Sequence, residues 1–112
     1  MRKPFIAGNW KMFKDLVEAA ELINGLKVQL AALDSKVTVA VCPPFTSLAI
    51  AANMLRGSTI KLGSQNMSQH AEGASTGEIS WKMLASTGCH YVILGHSERR
   101  QFFGETNDLI NA

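Results

Sequence analysis

Apolar positions along the chain recur with two alternating periods. Leu16, Ala20, Ile23, Leu26 and Leu30 are spaced by four and three, which puts them on one stripe of a helix over about Asp15 to Leu30. Asp15 with Glu18 three positions on has the pattern of an N-cap. Before that helix, Pro4 to Trp10 reads as a short buried strand. After it, Lys36 to Cys42 carries Val37, Val39 and Val41 on one face and Ala40 and Cys42 on the other. A strand apolar on both faces belongs inside a parallel sheet covered by helices. Pro43 and Pro44 end that strand, and Ser47 to Leu55 returns to helical spacing through Leu48, Ala51, Ala52 and Leu55. Thr59 to Gln65 predicts a third strand, Glu78 to Ser86 a third helix, and Tyr91 to Leu94 a fourth strand closed by Gly95. The stretch after Gly104 has the composition of a helix start.

Strand and helix thus alternate four times, with no linker, repeat or low-complexity segment between them. That order implies an α/β fold of parallel strands joined by right-handed helical crossovers, in one domain spanning 1–112 with no internal boundary. An open doubly wound sheet and part of a closed eight-stranded barrel both satisfy it, and period alone does not choose. In either case, functional residues are expected after the C-terminal ends of the strands.

Composition adds exclusions. With 46% hydrophobic and 18% charged residues, the 112-residue chain is an ordinary globular sequence, neither disordered nor fibrous. Eleven basic against nine acidic side chains leave +2, so charge gives no reason to expect a nucleic-acid or membrane-surface partner. The longest unbroken apolar run, Leu48 to Ala52, falls far short of the roughly 20 residues of a membrane span. Gly8, Asn9 and Lys11 interrupt the start before an apolar core of about 7 residues can form, so no cleaved signal peptide is expected. Cys42 and Cys89 have neither CxxC nor secreted-framework spacing and read as reduced core thiols of a cytoplasmic protein.

Two polar clusters carry candidate chemistry. Asn9 and Lys11 flank Trp10 at the end of the first strand, so alternation points them to one side and Trp10 to the other. An ammonium and an amide aimed together at the mouth of a sheet suit an anion and a carbonyl oxygen; the alternative is a lysine that only solubilises the strand end. Gly95 to Arg100, reading GHSERR, follows the fourth strand and opens a helical turn. Backbone N–H groups there disfavour an imidazolium and favour a neutral His96 ring that donates to a carbonyl; the alternative is a histidine that merely caps the turn. Glu98 either pairs with Lys11 or is a helix-start carboxylate without chemistry. His70, Cys89, His90 and His96 have no zinc-ligand spacing, and no metal is expected. His96 and Ser97 are adjacent in sequence, which does not make a nucleophile and base, and no GxxxxGK[ST] or GxGxxG follows a strand.

Five stretches taken together go further. Gly8-Asn9-Trp10-Lys11-Met12, Cys42-Pro43-Pro44-Phe45-Thr46, Gly63-Ser64-Gln65-Asn66, GASTGEIS from Gly73 to Ser80, and GHSERR occur in one order and spacing. In that register the chain closely resembles, from end to end, the N-terminal half of triosephosphate isomerases. The resemblance implies a TIM (β/α)8 barrel of which roughly the first four βα units are present. It also implies interconversion of dihydroxyacetone phosphate and glyceraldehyde 3-phosphate through an enediolate, without a cofactor. On that basis His96, Lys11 and Glu98 would be catalytic, with Glu98 a supporting carboxylate, and Asn9, Trp10 and Lys11 would bind the phosphorylated triose. Gln65, Thr76, Glu78 and Arg99 would lie at the interface of an isologous homodimer, Thr76 steadying the partner's Asn9 and Lys11 and Glu78 pairing with the partner's Arg99. Ser75 departs from the aromatic residue frequent in the family before Thr76, and Trp81 from a smaller residue or proline.

The family's glutamate base, closing loop and phosphate cradle belong to the second half of the barrel. A barrel of about 250 residues allots ~31 to each unit, so 112 residues hold ~3.6 units. The helical pattern also reaches Ala112 with neither cap nor Gly, as expected of a shortened chain. The expectation is either the N-terminal portion of a working isomerase or a half-barrel that folds or associates without catalysis. In the second case the first and fourth strands would have unpaired edges.

Overall fold

The computed structural model describes residues 2–32 and 36–112. Four strands, β1 (Phe5–Asn9), β2 (Thr38–Cys42), β3 (Lys61–Ser64) and β4 (Tyr91–Val92), alternate with helices α1 (Leu16–Gln29), α2 (Leu48–Leu55) and α3 (Trp81–Ser86). Two short helices, α4 (Ser97–Phe103) and α5 (Asn107–Asn111), follow β4.

The strands lie parallel in the order β1-β2-β3-β4. This order separates the two architectures left open by the sequence. A doubly wound sheet reverses its direction of growth at the first strand, whereas a barrel adds each new strand on the same side. The sheet also curves. Phe5 on one edge strand and Tyr91 on the other meet edge to face, with ring centroids 5.0 Å apart. On a flat sheet three strand spacings would separate them by about 14 Å. The architecture is an α/β half-barrel matching the N-terminal part of a TIM barrel.

The core lies between the sheet and its helices. Ile23 of α1, Leu48, Ala51 and Leu55 of α2, Val41 and Leu62 of the central strands, Ile60 and Leu84 form one buried cluster. Full burial of each large side chain contributes about 1.5–3 kcal/mol. Glycine suits position 63, where an added Cβ would stand 2.7 Å from the buried Cys42 Sγ and force it to shift.

Local signals place α1 closely. Asp15 Oδ1 accepts from Glu18 N–H at 2.9 Å and Glu18 Oε1 accepts from Asp15 N–H at 3.1 Å, a complete capping box. The helix is rotated slightly from the expected stripe: Ala19 and Ile23 are buried, Ala20 is half-buried, and Leu16 remains exposed.

Three other expectations are corrected. β1 is not a buried strand in this chain; it pairs with β2 alone, and Phe5 and Ile6 are 49% and 59% exposed. The third helix begins at Trp81 and not at Glu78, because Ser80 Oγ accepts from Met83 N–H and sets the cap there. The fourth strand stops at Val92, although Ile93 N–H still donates to Ser64 O at 2.9 Å.

Candidate active site

β1 ends at Asn9, and the chain turns through Lys11 with φ +55°. A left-handed conformation at a residue with a side chain costs about 1–3 kcal/mol, so its surroundings must hold it. Side chains take both main-chain polar groups of Lys11. Its N–H donates to Asn9 Oδ1 at 2.9 Å, and its carbonyl accepts from Gln65 Nε2 at 2.9 Å. The second Gln65 donor goes to Cys42 O at 2.8 Å, the oxygen that Trp10 N–H also reaches. Gln65, just beyond β3, thereby pins the turn after β1 to the end of β2.

His96 is the N-cap of α4. Its Nδ1 accepts from Glu98 N–H at 3.0 Å, and its carbonyl accepts from Arg99 and Arg100 N–H at 2.9 and 3.1 Å. A ring nitrogen that accepts carries no proton, so the neutral ring has its hydrogen on Nε2. Glu98 Oε1 lies 3.6 Å from Nδ1, and with both atoms acceptors this approach is not an ion pair. The same oxygen is 3.0 Å from Lys11 Nζ, which is an ion pair. Lys11 and Glu98 side chains are 52% and 40% exposed. Such a pair is worth about 0–1 kcal/mol, so its main effect is to orient the ammonium.

Asn9, Lys11, Gln65, His96 and Glu98 line one cleft of about 360 Å³, with Glu78 and Arg99 also on its wall. An ammonium and an imidazole Nε2–H at one cleft can stabilise negative charge on a bound oxygen, and Asn9 adds an amide. Trp10 is not among the cleft-lining residues; it packs against the core, as alternation requires of the residue between Asn9 and Lys11. Thr76 lies in the exposed stretch 71–78. Within this chain Arg99 is engaged by Glu105, with Nε to Oε2 at 2.8 Å, and its guanidinium sits 4.7 Å above the Phe103 ring.

The sequence reading did not identify Gln65 as a clamp on Lys11. The available signal was a side-chain amide immediately after a strand, at the mouth of the sheet. Among the described residues no group of three or more His, Cys, Asp or Glu could hold a metal ion. Burial, and secondarily the charge of Cys89, pushes the Cys42 thiol above its ordinary pKa; burial also raises Cys89, against hydrogen bonds led by that to Tyr91 O. Both cysteines are free.

The sequence model of the triosephosphate isomerase family matches residues 4–112. The chain belongs to the triosephosphate isomerase family. A triosephosphate isomerase from Carboxydothermus hydrogenoformans is 59% identical over 115 residues, covering 99% of this chain and 44% of the relative. Triosephosphate isomerases from Trichodesmium erythraeum and Herpetosiphon aurantiacus are 52% and 53% identical over 111 residues, covering 99% of this chain and 46% and 44% of the relatives. The chain thus spans less than half the length of these triosephosphate isomerases, within the N-terminal part of the family's barrel.

Proposed function

We propose that this chain supplies the electrophilic half of a triosephosphate isomerase site, acting on dihydroxyacetone phosphate and glyceraldehyde 3-phosphate. The observation that carries the reading is that Lys11 and His96 line one cleft, with His96 Nδ1 accepting from Glu98 N–H. Moving a proton between adjacent carbons passes through an enediolate whose charge develops on two oxygens. His96 Nε2–H would donate to those oxygens, and the Lys11 ammonium would offset the charge of substrate and intermediate. Asn9 would position the substrate beside Lys11, while Glu98 orients the ammonium.

A base must still take the proton from carbon. Glu98 is occupied by Lys11, and Glu105 by Arg99. By the family resemblance the base belongs to the second half of the barrel, and no isomerisation is expected of the 112 residues alone. In the complete enzyme the cleft wall with Glu78 and Arg99, together with the Thr76 loop, forms the contact of a cytoplasmic homodimer. That role for Arg99 requires it to serve a partner in addition to Glu105.

A coupled assay of the purified chain, alone and mixed with the complementary half of a related barrel, tests the reading. No turnover is expected alone, and turnover that disappears in His96→Ala is expected on complementation. Turnover by the chain alone, abolished by Lys11→Ala and by His96→Ala, would overturn the assignment of the base elsewhere. A second reading, a half-barrel that associates without catalysis, draws support from exposed Phe5, Ile6 and Tyr91 on the edge strands. It predicts self-association in sedimentation and no turnover on complementation.

A further inference from the structure

Arg100 reaches back from α4 to the turn that presents His96. Its Nε donates to Gly95 O at 2.9 Å, and its Nη1 donates to Asn107 Oδ1 of α5 at 2.7 Å. The Gly95 carbonyl and the His96 N–H share one rigid peptide plane, so holding the oxygen fixes the plane from which the His96 side chain departs. α5 packs on the same point. A Cβ at Gly95, where φ is +62°, would stand 2.3 Å from Ile110 Cδ1 and 3.2 Å from Arg100 Nη2. Turn, guanidinium and α5 therefore meet closely, so that one more carbon would make the Ile110 side chain shift.

We infer that Arg100, anchored by Asn107, is a positioning residue for His96: it locks the Gly95–His96 peptide so that Nδ1 stays on Glu98 N–H, which leaves the ring hydrogen on Nε2. The fork of a guanidinium suits this task because two nitrogens bond in fixed relative directions, one to the turn and one to α5. Lysine has a single nitrogen on a flexible stem and cannot hold the two acceptors in those fixed directions. The kinetic consequence rests on the isomerase reading; the effect on the ring does not.

The test follows the His96 ring by long-range proton–nitrogen correlation in the chain carrying nitrogen-15 histidine, with kcat and KM measured on the same preparations complemented with the remaining half of a related barrel. The unsubstituted protein is expected to show a proton on Nε2 only. In Arg100→Met the two tautomers are expected to mix, and kcat to fall about tenfold while KM moves less than about twofold. Arg100→Lys and Asn107→Ala should fall between. An Arg100→Met protein that loses thermal stability but keeps the original His96 spectrum and kcat would overturn the inference, leaving Arg100 as a tie between α4 and α5. Should Arg100→Met fail to fold, Asn107→Ala decides by the same spectrum and rates. A mixed ring signal in Arg100→Met, with no turnover by the unsubstituted chain even when complemented with the remaining barrel half, would sink the isomerase reading and support the positioning role.

Discussion

Lys11 and His96 arrive at the same cleft by different physical routes. Lys11 sits in a left-handed turn whose carbonyl is held by Gln65, a residue 54 positions away, on the far side of β2. His96 is held largely by its own neighbours: Glu98 N–H on Nδ1, and Arg99 and Arg100 N–H on its carbonyl. The Lys11 arm therefore depends on the sheet being assembled, whereas the His96 arm is built mainly by the first turn of α4. Glu98 joins them, because its carboxylate takes the Lys11 ammonium while its backbone N–H takes the imidazole.

The largest expected effect separates the arms by chemistry. In the complete enzyme, Lys11→Ala and His96→Ala should each lower kcat/KM by about 10²–10⁴-fold. Lys11→Ala should raise KM as well if, as proposed, its charge would bind substrate in the ground state, whereas His96→Ala should act mainly on kcat. Steady-state kinetics that return a His96→Ala kcat within about twofold of the original would remove His96 from the chemistry.

Next in size is Gly95→Ala. It asks alanine to hold φ +62° and makes the end of the Ile110 side chain shift, so a loss of about 1–3 kcal/mol, mostly from the backbone, is expected from the urea midpoint. A stable Gly95→Ala protein would show that the turn before His96 is looser than its packing implies. Gln65→Ala should cost less, about 1–2 kcal/mol, because Cys42 O keeps its bond from Trp10 N–H. Its distinguishing mark is selective: amide exchange around Lys11 should quicken while the His96 ring signal is unchanged. Equal loosening of both arms would mean that they are coupled through the sheet and not only through Glu98.

The smallest effect tests what lies beneath the cleft. Cys42 and Cys89 have raised pKa values because burial disfavours their thiolates. The folded chain thus holds these protons more tightly than the unfolded chain. The stabilisation is complete below the unfolded value of 9.0 and is lost as pH rises through the folded values. Denaturant midpoints at neutral and strongly alkaline pH should show this loss. Cys42→Ala should reduce its size, and an unchanged pH dependence in that variant would exclude Cys42 as a source.

The parts of the fold legible in the sequence are those whose causes are local. Asp15 and Glu18 are one helical turn apart, and their reciprocal hydrogen bonds follow from that spacing. Trp10 falls on the core side because strand side chains alternate. Position 23 was expected in the buried stripe and lies there, but Ala19 and not Ala20 is the buried residue beside it, in a helix that packs against α2. Gln65 as a clamp was illegible because nothing within several residues of Lys11 or Gln65 announces their contact.

The sequence by itself determined the alternation of strands and helices, the cap of α1, the turn that presents His96, and membership of a barrel family. Each arises from backbone geometry over a few residues or from a run of motifs in fixed register. Only the tertiary structure decided the order of strands that makes the sheet a half-barrel, the meeting of Phe5 with Tyr91, and the strained Lys11 held by Asn9 and Gln65. These depend on contacts between segments far apart along the chain, which form only when burial of the shared core brings the segments together.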